Sequence, residues 1–213
     1  MEARFDSYIV QKSPPDLNYG LLSITNESRY SSLMPWHLQQ VRNIIINETR
    51  YLTVNNLVDA NAHIGVDSIL FRLIFPNANI TSIELNPNTY QQLVKNMNNI
   101  DNIVGRHVKP IQILNMDCLD YIYNYNYDLV YFDPPWNDAD YKQKNIYDLY
   151  LSNISLSSIV NSLMGRCCVI VKLPYNLNIH SFRNNIQCNY FKVYNIYTSN
   201  DRKKISYILV FIQ

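Results

Sequence analysis

The chain is 213 residues long, 47% hydrophobic and 16% charged, and carries a net charge of +1. Such a length holds one sizeable core, and no apolar run reaches the ~18 residues that a membrane-spanning helix needs. The balanced charge argues against a long electrostatic track along a nucleic-acid backbone but leaves a small nucleic-acid target open.

Residues 1 to about 30 read as polar and irregular, with SPP and NYG as turn signals. SSLMPWHLQQVRNIIINET follows with Leu38, Val41, Ile44 and Ile45 at helical spacing, Pro35 in the first turn and Ser31 or Ser32 as cap. A strand–helix alternation then begins. NNLVDA, ITSIEL, IQILNM, DLVYF and RCCVIVKL are short apolar runs that predict strands. Between them GVDSILFRLIF, PNTYQQLVKNMNNI, DCLDYIYN and NIYDLYLSNISLSSIVNSLM predict helical segments, the last over residues 145–164. YFKVYNIYTS and KISYILVFI, joined by NDRK, predict a closing hairpin. The expected fold is α/β, with a mostly parallel sheet and a C-terminal antiparallel hairpin.

Ligands of such a sheet bind outside the carboxyl ends of its strands. Four acids stand at those ends: Asp59, Glu84, Asp117 and Asp133. Asp59 opens the loop DANAHIG, which holds Asn61 and His63 and ends on Gly65. A single glycine is not a diphosphate cradle, but it lets backbone approach a ligand and the next helix pack closely. Glu84, followed by Leu85, can accept two ribose hydroxyls. Asp117 can accept from an adenine amine, with Cys118 forming a pocket wall. Together these groups describe a nucleoside-binding edge without a diphosphate. In YFDPPWND, Pro134 and Pro135 end the fourth strand and hold a carboxylate and the Trp136 plane on a stiff turn.

The order D-x-x-x-x-x-G, I-E, D-C, D-P-P-W resembles class I S-adenosylmethionine-dependent methyltransferases, and within them the trimethylguanosine synthase family, the RNA cap guanine-N2 methyltransferases. SLMPWHLQQVRNII, YFDPPWNDADY, VIVKLPYN and the C-terminal hairpin carry the likeness. His63, Asn137 and Asp138 stand where that family usually has glycine, and Trp36 where it usually has an acid. The resemblance implies a Rossmann-like class I methyltransferase sheet over residues 51–213, with residues 1–50 forming a segment and helix on the substrate side. It implies S-adenosylmethionine held by Asp59, Asn61, His63, Gly65, Glu84, Leu85, Asp117, Cys118 and Asp133. Asp133 and the Pro134 carbonyl would accept the N–H bonds of the target amine, and Trp136 would stack on 7-methylguanine. Tyr141, Asn176 and Pro35 would lie on the substrate side. Lys172, after an apolar strand, could bind cap phosphates, as could Arg202, Lys203 and Lys204 in the hairpin turn.

The activity expected is methyl transfer to N2 of a 7-methylguanosine cap. Adenine N6 or an internal guanine N2 would suit D-P-P-W equally, ribose 2′-O transfer less so, and an inactive cap-binding module is a further alternative. The expected partner is capped RNA or a cap nucleotide, with no membrane, no metal and a monomeric chain. Cys118, Cys167, Cys168 and Cys188 have neither CxxC nor zinc-ligand spacing, and the first residues lack an apolar leader. Both point to an intracellular setting, cytoplasm or nucleus. Four glycines against 18 tyrosines is the bias of AT-rich genes, as in some parasites and large DNA viruses, so a viral chain in a host cytoplasm would fit.

Overall fold

The computed structural model describes residues 16–24, 34–136, 145–198 and 204–213. Helix α1 (Pro35–Thr49) starts with a buried Pro35, whose missing N–H is one of the helix's orphan donors in any case. Met34 occupies the cap position without a side-chain cap, and Ser31 and Ser32 lie outside the described residues. Then come β1 (Asn56–Asp59), α2 (Val66–Ile74), β2 (Asn79–Ile83), α3 (Pro87–Asn98), a short α4 (Ile100–Val104), β3 (Gln112–Leu114), α5 (Cys118–Ile122) and β4 (Leu129–Phe132). Asn86 and Asp117 cap α3 and α5 through their side chains.

After β4 the prediction of one helix over 145–164 fails. Ile146 bridges to Leu177, β5 (Tyr150–Leu151) and β6 (Ile154–Ser155) form a tight hairpin, and only α6 (Leu156–Leu163) is helical. Ser152 and Asn153 both take left-handed backbone, φ 47° and 66°, as a two-residue hairpin turn requires. Ser155 then accepts from the Ser158 amide and starts α6. β7 (Cys168–Pro174), α7 (Ile179–Asn184), β8 (Phe191–Tyr197) and β9 (Ile205–Ile212) complete the chain. α7, at six residues, is too short to show a period and was not among the predicted elements.

The sheet runs β3-β2-β1-β4-β7-β9-β8, parallel from β3 to β7, with β9 antiparallel to both neighbours. The expected fold class is therefore what the chain adopts. The hairpin does not simply extend the edge: β9, the later strand, lies inside and β8 outside. Alternate residues of each strand feed two cores, since both faces are covered. Leu57, Leu129, Tyr131 and Ile170 face α1 and α2, while Val58, Val130, Phe132 and Val171 face α5 and α6.

Residues 16–24 depart from the polar reading. Leu17, Tyr19, Leu22 and Ile24 are buried in the α1–α2 core, and Asn18 donates its amide to Ile103 O at 2.8 Å. Arg72 is a second buried surprise, donating to the carbonyls of Phe75, Pro76, Ala78 and Pro110. It satisfies the α2–β2 turn and the start of β3 together. Arg72→Met should strand those carbonyls and lower stability by about 3 kcal/mol in urea unfolding.

Candidate active site

The loop between β1 and α2 is fixed from behind. Ala60 N donates to Tyr131 O at 2.9 Å and Ala62 N to Ile83 O at 2.8 Å. Asn96 of α3 donates to Ile64 O at 2.8 Å and to Ser23 O at 3.0 Å, and accepts from Ser23 N at 2.7 Å. His63 adopts φ 52°, the left-handed backbone that His tolerates better than bulkier residues, and Gly65 adopts φ 92°. A Cβ on Gly65 would meet Met97 Cε at 2.6 Å and Leu93 Cδ1 at 2.7 Å, so this glycine serves the approach of α3. Gly65→Ala should cost about 1–3 kcal/mol in thermal unfolding through the positive φ alone.

Three of the strand-end acids are engaged by the protein itself. Asp59 is fully buried; its Oδ2 accepts from Ser68 Oγ at 2.5 Å, and Ser68 accepts in turn from Ser82. Its Oδ1 is buried without a hydrogen-bond partner among the described residues, and burial, with Asp67 close by, pushes its pKa well up. Glu84 accepts from His63 N at 2.9 Å and Asn86 N at 2.8 Å, so it clamps the β1–α2 loop to β2; burial raises its pKa. Leu85 beside it is 63% exposed. Asp117 accepts from Leu119 N at 2.9 Å through Oδ1 and from the hairpin residue Ser152 through Oδ2. Cys118 is buried, and burial, then Asp117, pushes its thiol up to about 12.

Asp133 follows β4 and differs from these three. Its Oδ2 accepts from Lys172 Nζ at 2.6 Å, its side chain is 18% exposed, and Oδ1 has no protein partner among the described residues. Pro134 is buried, Pro135 exposed and Trp136 half-buried, packing on both cores with its ring 6.4 Å from that of Tyr207.

Lys172 departs from the expectation that it meets phosphates. It sits inside β7 on the α1–α2 face, 3% exposed, with Asp133 at 2.6 Å and Asp67 at 4.0 Å. Its ammonium also lies 5.1 Å from the Tyr207 ring centre and 5.9 Å from that of Trp136. A buried ammonium holds its charge only by such partners, and these keep it from solvent. Burial lowers its pKa, yet Asp133 and Asp67 outweigh that and raise it. Pro35, expected on the substrate side, is buried at the start of α1. Asn176 lies half-buried in the turn after β7, and Lys204 is exposed. Tyr141, Asn137, Asp138, Arg202 and Lys203 lie outside the described residues.

Asp67, Tyr207 and His37 were not anticipated. His37 of α1 packs edge-on to Tyr207 at 5.1 Å, and burial, then Lys172, lowers its pKa to about 4. Asp67 stands in the first turn of α2, where an acid is ordinarily read as helix-dipole matching. The signal that could have found it is the lysine: a cation in an apolar central strand demands carboxylates nearby.

The edge suits S-adenosylmethionine. Buried acceptors without partners among the described residues, Asp59 Oδ1 and Asn61 Oδ1, border the β1–α2 loop. The Glu84 carboxylate, held by the His63 and Asn86 amides, stands at the end of β2, and exposed Leu85 gives an apolar surface for a base plane.

Sequence comparison with curated proteins finds no match. Solved structures match over most of the chain. An S-adenosylmethionine-dependent methyltransferase from Agrobacterium tumefaciens superposes with a TM-score of 0.58 at 11% identity, covering 85% of this chain and 63% of that one. The N-terminal domain of human METTL16, solved with S-adenosylhomocysteine, gives 0.54 at 12% identity, covering 85% and 71%. At such identities the likeness is one of fold. The family model for the RNA cap guanine-N2 methyltransferases matches residues 54–213, which takes in every strand and the D-P-P-W turn. The chain thus has the fold of an S-adenosylmethionine-dependent methyltransferase and belongs to the RNA cap guanine-N2 methyltransferase family.

Proposed function

We propose that the protein transfers a methyl group from S-adenosylmethionine to the exocyclic N2 of a 7-methylguanosine cap. The observation that carries this reading is the asymmetry of Asp133: one carboxylate oxygen is pinned by Lys172, whose ammonium also lies 5.9 Å from the Trp136 ring centre, and the other has no hydrogen-bond partner among the described residues. Bound S-adenosylmethionine supplies an electrophilic methyl. The lone pair of a guanine N2 is delocalised into its ring, so the protein must orient it. Asp133 Oδ1 and the Pro134 carbonyl would accept its two N–H bonds and draw the nitrogen toward a pyramidal geometry that localises the lone pair on it; orientation of this kind supplies much of the acceleration. As N–CH3 forms, with S-adenosylhomocysteine as the leaving group, one N–H proton would pass by way of Asp133 to solvent. The positive charge that grows on nitrogen is stabilised by the same carboxylate. Trp136 offers its face to the base, with a cation–π contribution of about 0.5–2 kcal/mol for the cationic 7-methylguanine.

Asp133 must be ionised to accept. Burial raises its pKa and Lys172 opposes the rise, leaving it at about 6. As pH falls below that value the acceptor is protonated, so kcat/KM should drop about tenfold per pH unit on the acid side. The founding experiment is transfer from labelled S-adenosylmethionine to m7GTP and m7GpppA, with GTP and GpppA as controls. Transfer to the 7-methylated compounds alone supports the reading; transfer only to RNA or DNA amines would replace it.

A further inference from the structure

We propose that Lys172 and Asp67 are positioning residues for Asp133: Lys172 selects which carboxylate oxygen faces the acceptor and keeps the group ionised, and Asp67 anchors Lys172 from α2. The kinetic consequence rests on the methyl-transfer reading above; the charge network itself does not.

Lys172 shares a sheet face with Ile170 and Tyr131, because alternate residues of β7 and its neighbour β4 point the same way. That face is covered by α1 and α2, so the ammonium cannot reach solvent and takes the nearest carboxylates instead. Tyr207 of β9 and Trp136 flank it with ring faces. With three elements fixing Lys172, its 2.6 Å contact fixes Oδ2 of Asp133 in turn, and Oδ1 is left for the substrate.

Two carboxylates and one ammonium share the buried cluster. Lys172 holds the Asp133 pKa down while Asp67 pushes it up. Other titratable groups around the cluster are Asp59 of β1, Tyr131 of β4, Tyr207 of β9, His37 of α1, His63 of the loop and Tyr19 of the 16–24 segment. Burial holds the three tyrosine hydroxyls protonated and the two imidazoles neutral at pH 7, and it raises the Asp59 pKa; the neighbouring charges that chiefly move Asp133 are Lys172 and Asp67.

The two substitutions must then act in opposite directions. Lys172→Met should move the acid limb of kcat/KM for m7GTP upward by about one pH unit or more. Asp67→Asn should move it downward, and Lys172→Arg should restore a limb near that of the wild type. Affinity for S-adenosylmethionine by calorimetry should change less than about threefold in each, since neither residue is assigned to its binding. A merely structural role would lower activity in both variants without moving the limbs apart.

Independently of turnover, the Asp133 carboxyl can be titrated by carbon NMR in the full-length chain, assigned by its loss in Asp133→Asn. Opposite shifts in Lys172→Met and Asp67→Asn support the network; equal or absent shifts overturn it. If Lys172→Met does not fold, Lys172→Arg and Asp67→Asn decide by the same titration. If wild type transfers no methyl to any cap nucleotide, the cap reading falls, and the NMR shifts still judge the network.

Discussion

Asp133→Asn should lower kcat by about 10³, within the range that loss of a positioned acceptor and its charge produces. In the proposed mechanism the amide removes the negative charge assigned to stabilising positive nitrogen. It also leaves the Lys172 ammonium buried with Asp67, 4.0 Å away, as its one remaining ion-pair partner among the described residues. Removing one partner of a buried ion pair costs about 3–5 kcal/mol, so a fall in Tm is expected as well. The double variant Asp133→Asn with Lys172→Met separates the two effects. It removes both charges of the close pair, although Asp67 then loses its cation, so Tm should recover in part while kcat stays low. Recovery of both would remove Asp133 from the chemistry.

Trp136→Ala should abolish measurable turnover and leave S-adenosylmethionine affinity within about threefold, because the indole is assigned to the acceptor and not to the cofactor. Trp136 packs on both cores, so the Ala variant also opens a cavity beside Lys172 and Tyr207. Trp136→Phe answers that concern by keeping a smaller ring. It should fold, retain partial turnover, and show a preference for m7GTP over GTP reduced by about two- to thirtyfold, the span of the cation–π term. Equal loss of cofactor binding and turnover in both variants would contradict the assignment.

Much of this architecture can be read without coordinates, for physical reasons. Apolar runs ended by acids marked β1, β2, β3 and β4, because a buried strand emerges where its sequence turns polar. That placed Asp59, Glu84, Asp117 and Asp133 at one end of the sheet. What each acid touches was not legible: Asp59 is sealed behind Ser68, and Asp117 is shared with a hairpin hidden in a seemingly helical run. The apolar spacing across 145–164 was continuous, and only the left-handed pair Ser152–Asn153 interrupts it. Lys172 was misread for the opposite reason. Its place in VIVKLP signals burial, but naming a partner requires knowing that β7 runs beside β4 and under α2. Burial of residues 16–24 escaped notice because their apolar residues have neither period, and their contacts lie with Asn96 and Ile103, far along the chain.

The insertion of β9 between β7 and β8 governs when the site can exist during synthesis. A nascent chain that has emerged only as far as β8 has an open β7 edge and no Tyr207 beside Lys172. The pairing of β9 with β7 also joins segments well separated in sequence, the kind of contact that forms late and slows folding. Until then Lys172 has water on the side that β9 will close, and its claim on Asp133 is weakened by solvent. Methyl-transfer competence should therefore arrive in one step with the last strand, and a ribosome-stalled chain lacking residues 205–212 should be inert even with the D-P-P-W turn and the cofactor loop already folded.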